Sequence, residues 1–215
     1  MSQLAKTIPS FHHLTQDDIP NETHASLANK ACRGGARLIQ YRKKQGSHEE
    51  IVEEGKKVKE VCQKWNAVFI VNDFPEIAKE IEADGVHLGK KDVRPKKARR
   101  ILGEEAIIGG TANSYNDIKR LTKEPVNYVG LGPYRVTNTK DHPAPVLGTQ
   151  IISLADAFPE FPVIAIGGIE PDDVESLMQG RIHGVAVSSY INNAEDPVEA
   201  ASAIRERLEA YREAI

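Results

Sequence analysis

Along the chain, short runs of apolar and β-branched residues recur, and each is followed by a longer stretch in which apolar and charged positions return at helical spacing. The runs predict strands near 11–15, 37–42, 67–71, 85–88, 106–110, 127–131, 162–166 and 183–187. The stretches between and after them predict helices near 23–33, 47–65, 74–82, 95–102, 114–123, 149–157, 171–178 and 197–214. Boundary chemistry agrees with this division. Ser47 stands three residues before Glu50 and Ser114 three before Asp117, while Pro95, Pro171 and Pro197 each suit a first helical turn.

Repeated strand–helix units imply a parallel sheet, and eight of them with short connections favour closure into one (β/α)8 barrel of the TIM type over residues 1–215. The alternative is an open doubly wound sheet, which eight units would make wide. One connection breaks the rhythm. From Gly132 to Gly148 the chain reads GPYRVTNTKDHPAPVLG, without helical periodicity, and a loop of this length in a compact domain reads as an active-site lid after the sixth strand.

Composition narrows the partners. Of 215 residues, 40% are hydrophobic and 27% charged, the balance of an ordinary globular chain, and the formal charge of -3 gives no global attraction for nucleic acid or an anionic membrane. Any affinity for anions is therefore local. Cys32 and Cys62 form no C-x-x-C pair and sit in helical patterns, as reduced packing residues do. With no signal-like start and no apolar run of about eighteen residues, a cytoplasmic location is expected. Nothing in the pattern decides the oligomeric state, and a homo-oligomer stays open.

The candidate chemistry gathers at predicted strand ends. On strand two, Gln40 and Arg42 share one face, and Lys44 joins them if the strand persists that far. Such cations either line a ligand site or project as a solvated strand end. Asp73 and Asp92 follow adjacent strands three and four and converge if those strands are parallel neighbours. Two carboxylates suit Mg2+, which takes few protein ligands and fills its shell with water and phosphate oxygens; helix capping is the other role open to each. In the long loop, Thr137, Thr139 and Lys140 offer hydroxyls and an ammonium to phosphate. Gly167, Gly168, Ser188 and Ser189 end strands seven and eight, where barrels commonly bind phosphate through main-chain N–H groups. No G-x-G-x-x-G or Walker lysine pattern occurs. Of the seven histidines none forms a zinc pair; His87 lies near Asp92, with a structural role favoured over a catalytic one.

The segments IQYRKK, VNDFPEIA, ADGVHLGKKD, IIGGTAN, YVGLGPYRVTNTK, IAIGGI and GVAVSS, in this order and spacing, resemble the thiamine-phosphate synthase (thiamine-phosphate pyrophosphorylase) family from about Phe11 to the last helix. The resemblance implies a magnesium-dependent transferase that joins 4-amino-5-hydroxymethyl-2-methylpyrimidine diphosphate to hydroxyethylthiazole phosphate and releases pyrophosphate. It assigns Gln40, Arg42, Lys44, Asn72 and Lys140 to the diphosphate, with Arg42, Lys44 and Lys140 stabilising the leaving group. It assigns Asp73 and Asp92 to Mg2+, and Thr111, where the family usually has serine, to the pyrimidine diphosphate. Thr137, Thr139, Gly168, Ser188 and Ser189 fall around the thiazole phosphate. Two motifs depart from the family: Tyr134-Arg135-Val136 replaces I-[FY]-P, and Asn113 replaces the histidine of G-[VIC]-S-x-H. The rival functions are a thiazole tautomerase-like paralogue, a non-catalytic phosphate-binding barrel and, more distantly, a sugar-phosphate enzyme.

Overall fold

A computed structural model describes residues 8–136 and 144–213. Among them, strands β1 (Phe11–Leu14), β2 (Leu38–Tyr41), β3 (Val68–Asn72), β4 (Gly85–Leu88), β5 (Ile107–Ala112), β6 (Tyr128–Leu131), β7 (Val163–Ile166) and β8 (Gly184–Val187) pair in parallel and in chain order. β8 returns to β1, with His12 opposite Ala186, so the sheet is a closed barrel and the open-sheet alternative falls. The helices are α1 (His24–Arg33), α2 (His48–Lys64), α3 (Pro75–Glu80), α4 (Pro95–Leu102), α5 (Tyr115–Leu121), α6 (Gln150–Asp156), α7 (Pro171–Met178), α8 (Ser189–Asn192) and α9 (Pro197–Glu213). Only α8, four residues long, lies outside the predicted pattern, being too short to show a helical period.

The expected caps form. Ser47 Oγ accepts the Glu50 N–H while Glu50 Oε2 accepts the Ser47 N–H, and Ser114 Oγ accepts the Asp117 N–H. Thr23 and Ser26 make a similar box at α1. Prolines open α3, α4, α7 and α9, where the missing N–H has no helical partner to lose.

Alternation along each strand creates two cores. Outward residues such as Ile39, Tyr41, Val71, Val86, Val129 and Val185 pack under the helices, and Cys32 and Cys62 are free and buried in that layer. Trp65 packs against it as well, its indole N–H donating to Asn29 Oδ1 at 2.9 Å. Inward residues Leu14, Leu38, Ile70, Ile107, Tyr128, Ile164 and Ala186 fill the barrel. That interior is more polar than a wall of branched aliphatics, because Tyr128 lies between His12 and His87, with ring centroids 5.3 and 5.5 Å away. Glycine makes the room: a Cβ at Gly109 would sit 2.3 Å from the Tyr128 ring and 2.4 Å from His87 Nδ1. Among the described residues no helix is long and apolar enough to cross a membrane.

Candidate active site

Above this polar layer, the C-terminal ends of the strands surround a cavity of about 420 Å³, a size suited to a small-molecule substrate. Gln40, Arg42, Lys44, Asn72, Asp73, Asp92, Thr111, Gly168, Ser188 and Ser189 all line it. These positions are spread over most of the chain, and parallel strand order alone puts them on one rim.

β2 ends at Tyr41, one residue before Arg42, so the strand does not carry the inward face as far as Lys44. The alternation nevertheless continues. Arg42 is buried in the cavity wall, Lys43 turns outward to Glu54 at 3.2 Å, and Lys44 returns to place its Nζ 3.4 Å from Asp73 Oδ2. The solvated strand-end reading thus fails for Arg42, which is buried, and holds in part for Lys44, whose side chain is half exposed.

Asp73 and Asp92 meet beside that ammonium. The Asp73 carboxyl is held above the usual carboxylate range, first by burial and then by its contact with the Asp92 carboxylate, with Lys44 opposing. Asp73 caps no helix, since Phe74 is the N-cap of α3 and makes no side-chain cap bond. Its backbone is in the left-handed region, φ 68°, a conformation that costs free energy for a residue with a side chain and here turns the carboxyl into the cavity. Asp92 does have a local role, accepting the Gly89 N–H through Oδ2 at 2.6 Å. Two converging carboxylates, one destabilised as an anion by the other, form a donor set that fits Mg2+. Among the described residues no group of three or more His, Cys, Asp or Glu side chains could hold a metal.

Thr111 projects from β5, and its Oγ1 lies 3.0 Å from His87 Nε2, while His87 Nδ1 lies 3.0 Å from the Tyr128 hydroxyl. His87 is therefore tied from both ring nitrogens, the structural role expected for it, yet its partner is a cavity residue. Asn113 donates from Nδ2 to Gly132 O at 2.5 Å, joining the end of β5 to the end of β6 where the family histidine is absent. Lys90 is drawn to Asp117 at 2.7 Å, and Lys91 is exposed at the cavity edge.

Across the rim, Gly167 and Gly168 take φ values of 102° and 66°, and Cβ atoms there would fall 2.7 Å from Pro133 and 2.8 Å from Arg135 Cβ. The flanks of the long loop pack on these glycines. Tyr134 and Arg135 N–H groups donate to Ile166 O and Gly167 O, and Leu147 and Gly148 N–H groups donate to Pro133 O and Tyr134 O. Arg135 also reaches Asp173 of α7 at 2.5 Å and Glu170 at 3.4 Å, an anchor that the sequence reading noted only as a departure. Ser188 Oγ donates to Leu14 O at 3.1 Å, so its proton is engaged with β1. Thr137, Thr139 and Lys140 lie outside the described residues.

Comparison with known proteins gives a consistent picture. Residues 12–191 match the model of a family described as thiamine monophosphate synthase. A thiamine-phosphate synthase of Phocaeicola vulgatus is 43% identical over 176 residues, covering 80% of this chain and 85% of that protein. One from Salinibacter ruber is 37% identical over 205 residues, covering 95% and 90%. Among solved structures, thiamine phosphate pyrophosphorylase from Pyrococcus furiosus superposes with a TM-score of 0.85 at 28% identity, over 94% of this chain and 96% of that one.

Proposed function

The chain belongs to the thiamine monophosphate synthase family and is a transferase of thiamine biosynthesis, and from that premise we propose which substrates it joins and which residues carry the reaction. The substrates are 4-amino-5-hydroxymethyl-2-methylpyrimidine diphosphate and hydroxyethylthiazole phosphate, and the products are thiamine phosphate and pyrophosphate. One observation carries this reading: an acidic pair, Asp73 and Asp92, shares the rim with Arg42 and Lys44, and Gly168 and Ser189 line the same cavity. A rim with one anion site would suit a sugar phosphate. A diphosphate with its metal and a second phosphate together call for both halves.

In the reaction the bond between the pyrimidine methylene and the diphosphate oxygen breaks, its electron pair leaves with pyrophosphate, and the thiazole nitrogen lone pair forms the new C–N bond. No proton has to be removed from that nitrogen, so no general base is required. Arg42 and Lys44 stabilise the negative charge that grows on the leaving oxygens, inside a cavity where such contacts are stronger than in water. Lys140 joins them by the family resemblance, and Asn72, Gln40 and Thr111 orient the diphosphate and the pyrimidine. Asp73 and Asp92 hold Mg2+, which when bound neutralises diphosphate charge. Thr137, Thr139, Gly168, Ser188 and Ser189 hold the thiazole phosphate, with Ser188 contributing through its main chain because its hydroxyl proton is engaged. The protein acts in the cytoplasm as one barrel domain, with the segment 132–148, of which residues 137–143 lie outside the described residues, as its lid.

The test is magnesium-dependent release of pyrophosphate from the two substrates together. Arg42→Ala should lower kcat far more than it weakens thiazole phosphate binding. A folded protein that binds both compounds and releases no pyrophosphate would leave a non-catalytic barrel as the reading.

A further inference from the structure

We propose that His24, on the outer side of the barrel, is a positioning residue that holds the main chain of Arg42 and Lys44 in register for a diphosphate through Thr15 and Asp17. The proposal rests on the reading of Arg42 and Lys44 given above. It starts from a gap in the sheet. β2 stops at Tyr41, and a chain that leaves its ladder needs other partners for its N–H groups if it is to stay extended.

Two side chains from the segment after β1 supply them. Thr15 Oγ1 accepts the Arg42 N–H at 3.1 Å, and Asp17 Oδ2 accepts the Lys44 N–H at 2.8 Å. Both converge on one imidazole: His24 Nδ1 lies 2.7 Å from Thr15 Oγ1, and Nε2 lies 3.2 Å from Asp17 Oδ1. The intervening Lys43 pairs with Glu54, whose other oxygen accepts the His24 N–H at 3.0 Å. His24 thus touches Thr15, Asp17 and Glu54, three side chains that hold the 42–44 segment.

The Asp17 carboxylate can only accept, so Nε2 carries a proton and donates it to Oδ1; in the neutral ring Nδ1 then accepts the Thr15 hydroxyl proton while Thr15 Oγ1 accepts the Arg42 N–H. A neutral ring satisfies the whole chain, and burial, the largest influence on His24, lowers its pKa in that direction. The Tyr41 ring meets the imidazole edge-on at 5.1 Å, so the ring has little freedom to turn. Removing the imidazole leaves Thr15 and Asp17 free to rotate, and with them the two N–H groups on which the cations depend.

The experiment measures binding of Mg2+ with inorganic pyrophosphate, and separately of thiazole phosphate, by calorimetry on the folded protein. His24→Leu and Thr15→Val should each weaken pyrophosphate binding about tenfold and leave thiazole phosphate within about twofold, whereas Thr15→Ser, which keeps the hydroxyl, should bind both as the parent does. The double variant should lose no more than the worse single, because both cut the same chain. Unchanged pyrophosphate affinity in folded His24→Leu and Thr15→Val, or an equal loss for both ligands, overturns the proposal. If His24→Leu does not fold, the Thr15 pair carries the comparison. Arg42→Ala separates the two levels: if it weakens pyrophosphate while the His24 and Thr15 variants do not, only the clamp fails, and if it too leaves pyrophosphate binding intact, the rim assignment fails with it.

Discussion

Replacing Gly109 with alanine tests the physical basis of the polar layer beneath the cavity. The new methyl group would stand 2.3 Å from Tyr128 Cζ, 2.4 Å from His87 Nδ1 and 2.6 Å from the Tyr128 hydroxyl. Neither neighbour gives way easily, since Tyr128 is 1% exposed and His87 is bonded at both ring nitrogens. Overpacking of a filled interior costs about 1–3 kcal/mol, and losing the His87–Tyr128 hydrogen bond adds about 1 kcal/mol, so a loss of roughly 2–4 kcal/mol is expected. For a chain of this size that corresponds to a melting temperature lower by about 4–16 °C. Urea unfolding at equilibrium measures it, with an unchanged slope showing that the denatured state is not the cause. Gly130→Ala is the internal comparison. Its Cβ would meet only His87, at 3.0 and 3.5 Å, so it should cost less than half as much. A Gly109→Ala protein within about 0.5 kcal/mol of the parent would refute the view that the barrel interior is packed around His87 and Tyr128.

Three further outcomes follow from named contacts. His13 is buried with its pKa lowered to about 4, burial being the chief cause and its bond to Asn192 opposing, against 6.5 when unfolded. The unfolded chain therefore binds the extra proton first. This contribution is intact above pH 6.5 and is lost as pH falls toward 4, by up to about 1.4 kcal/mol per pH unit; urea midpoints of the parent should drop more steeply across that range than those of His13→Gln, and parallel profiles would contradict it. Arg135→Ala leaves the buried Asp173 carboxylate without its cation, and because the Arg135 side chain is half exposed the loss should be only about 1 kcal/mol, read as a melting shift that vanishes when Asp173 is already asparagine. Tyr128→Phe removes the hydroxyl near His87 Nδ1 and should destabilise by about 1–2 kcal/mol with the fold kept; an unchanged melting temperature would show that the His87–Tyr128 bond contributes nothing.

The sequence alone was enough for the eight strands; it favoured closure over an open sheet and set Asp73 and Asp92 at successive strand ends, and the structure decided both. Strand alternation has a period of two, helices carry an amphipathic stripe, and parallel neighbours must bring their ends to one rim. Those are local or topological rules, and a single chain displays them. The residues that hold the rim were not legible. His24 reads as one more helical histidine until Thr15, Asp17 and Glu54, at different distances along the chain, close around it. Likewise Arg42 and Lys44 keep their face after the strand has ended because of side chains on the segment after β1, and His87 finds its place because Gly109 on the next strand leaves a space. Periodicity determines which side of the sheet a residue takes. What it touches there depends on distant residues meeting in three dimensions, and only the folded barrel decides that.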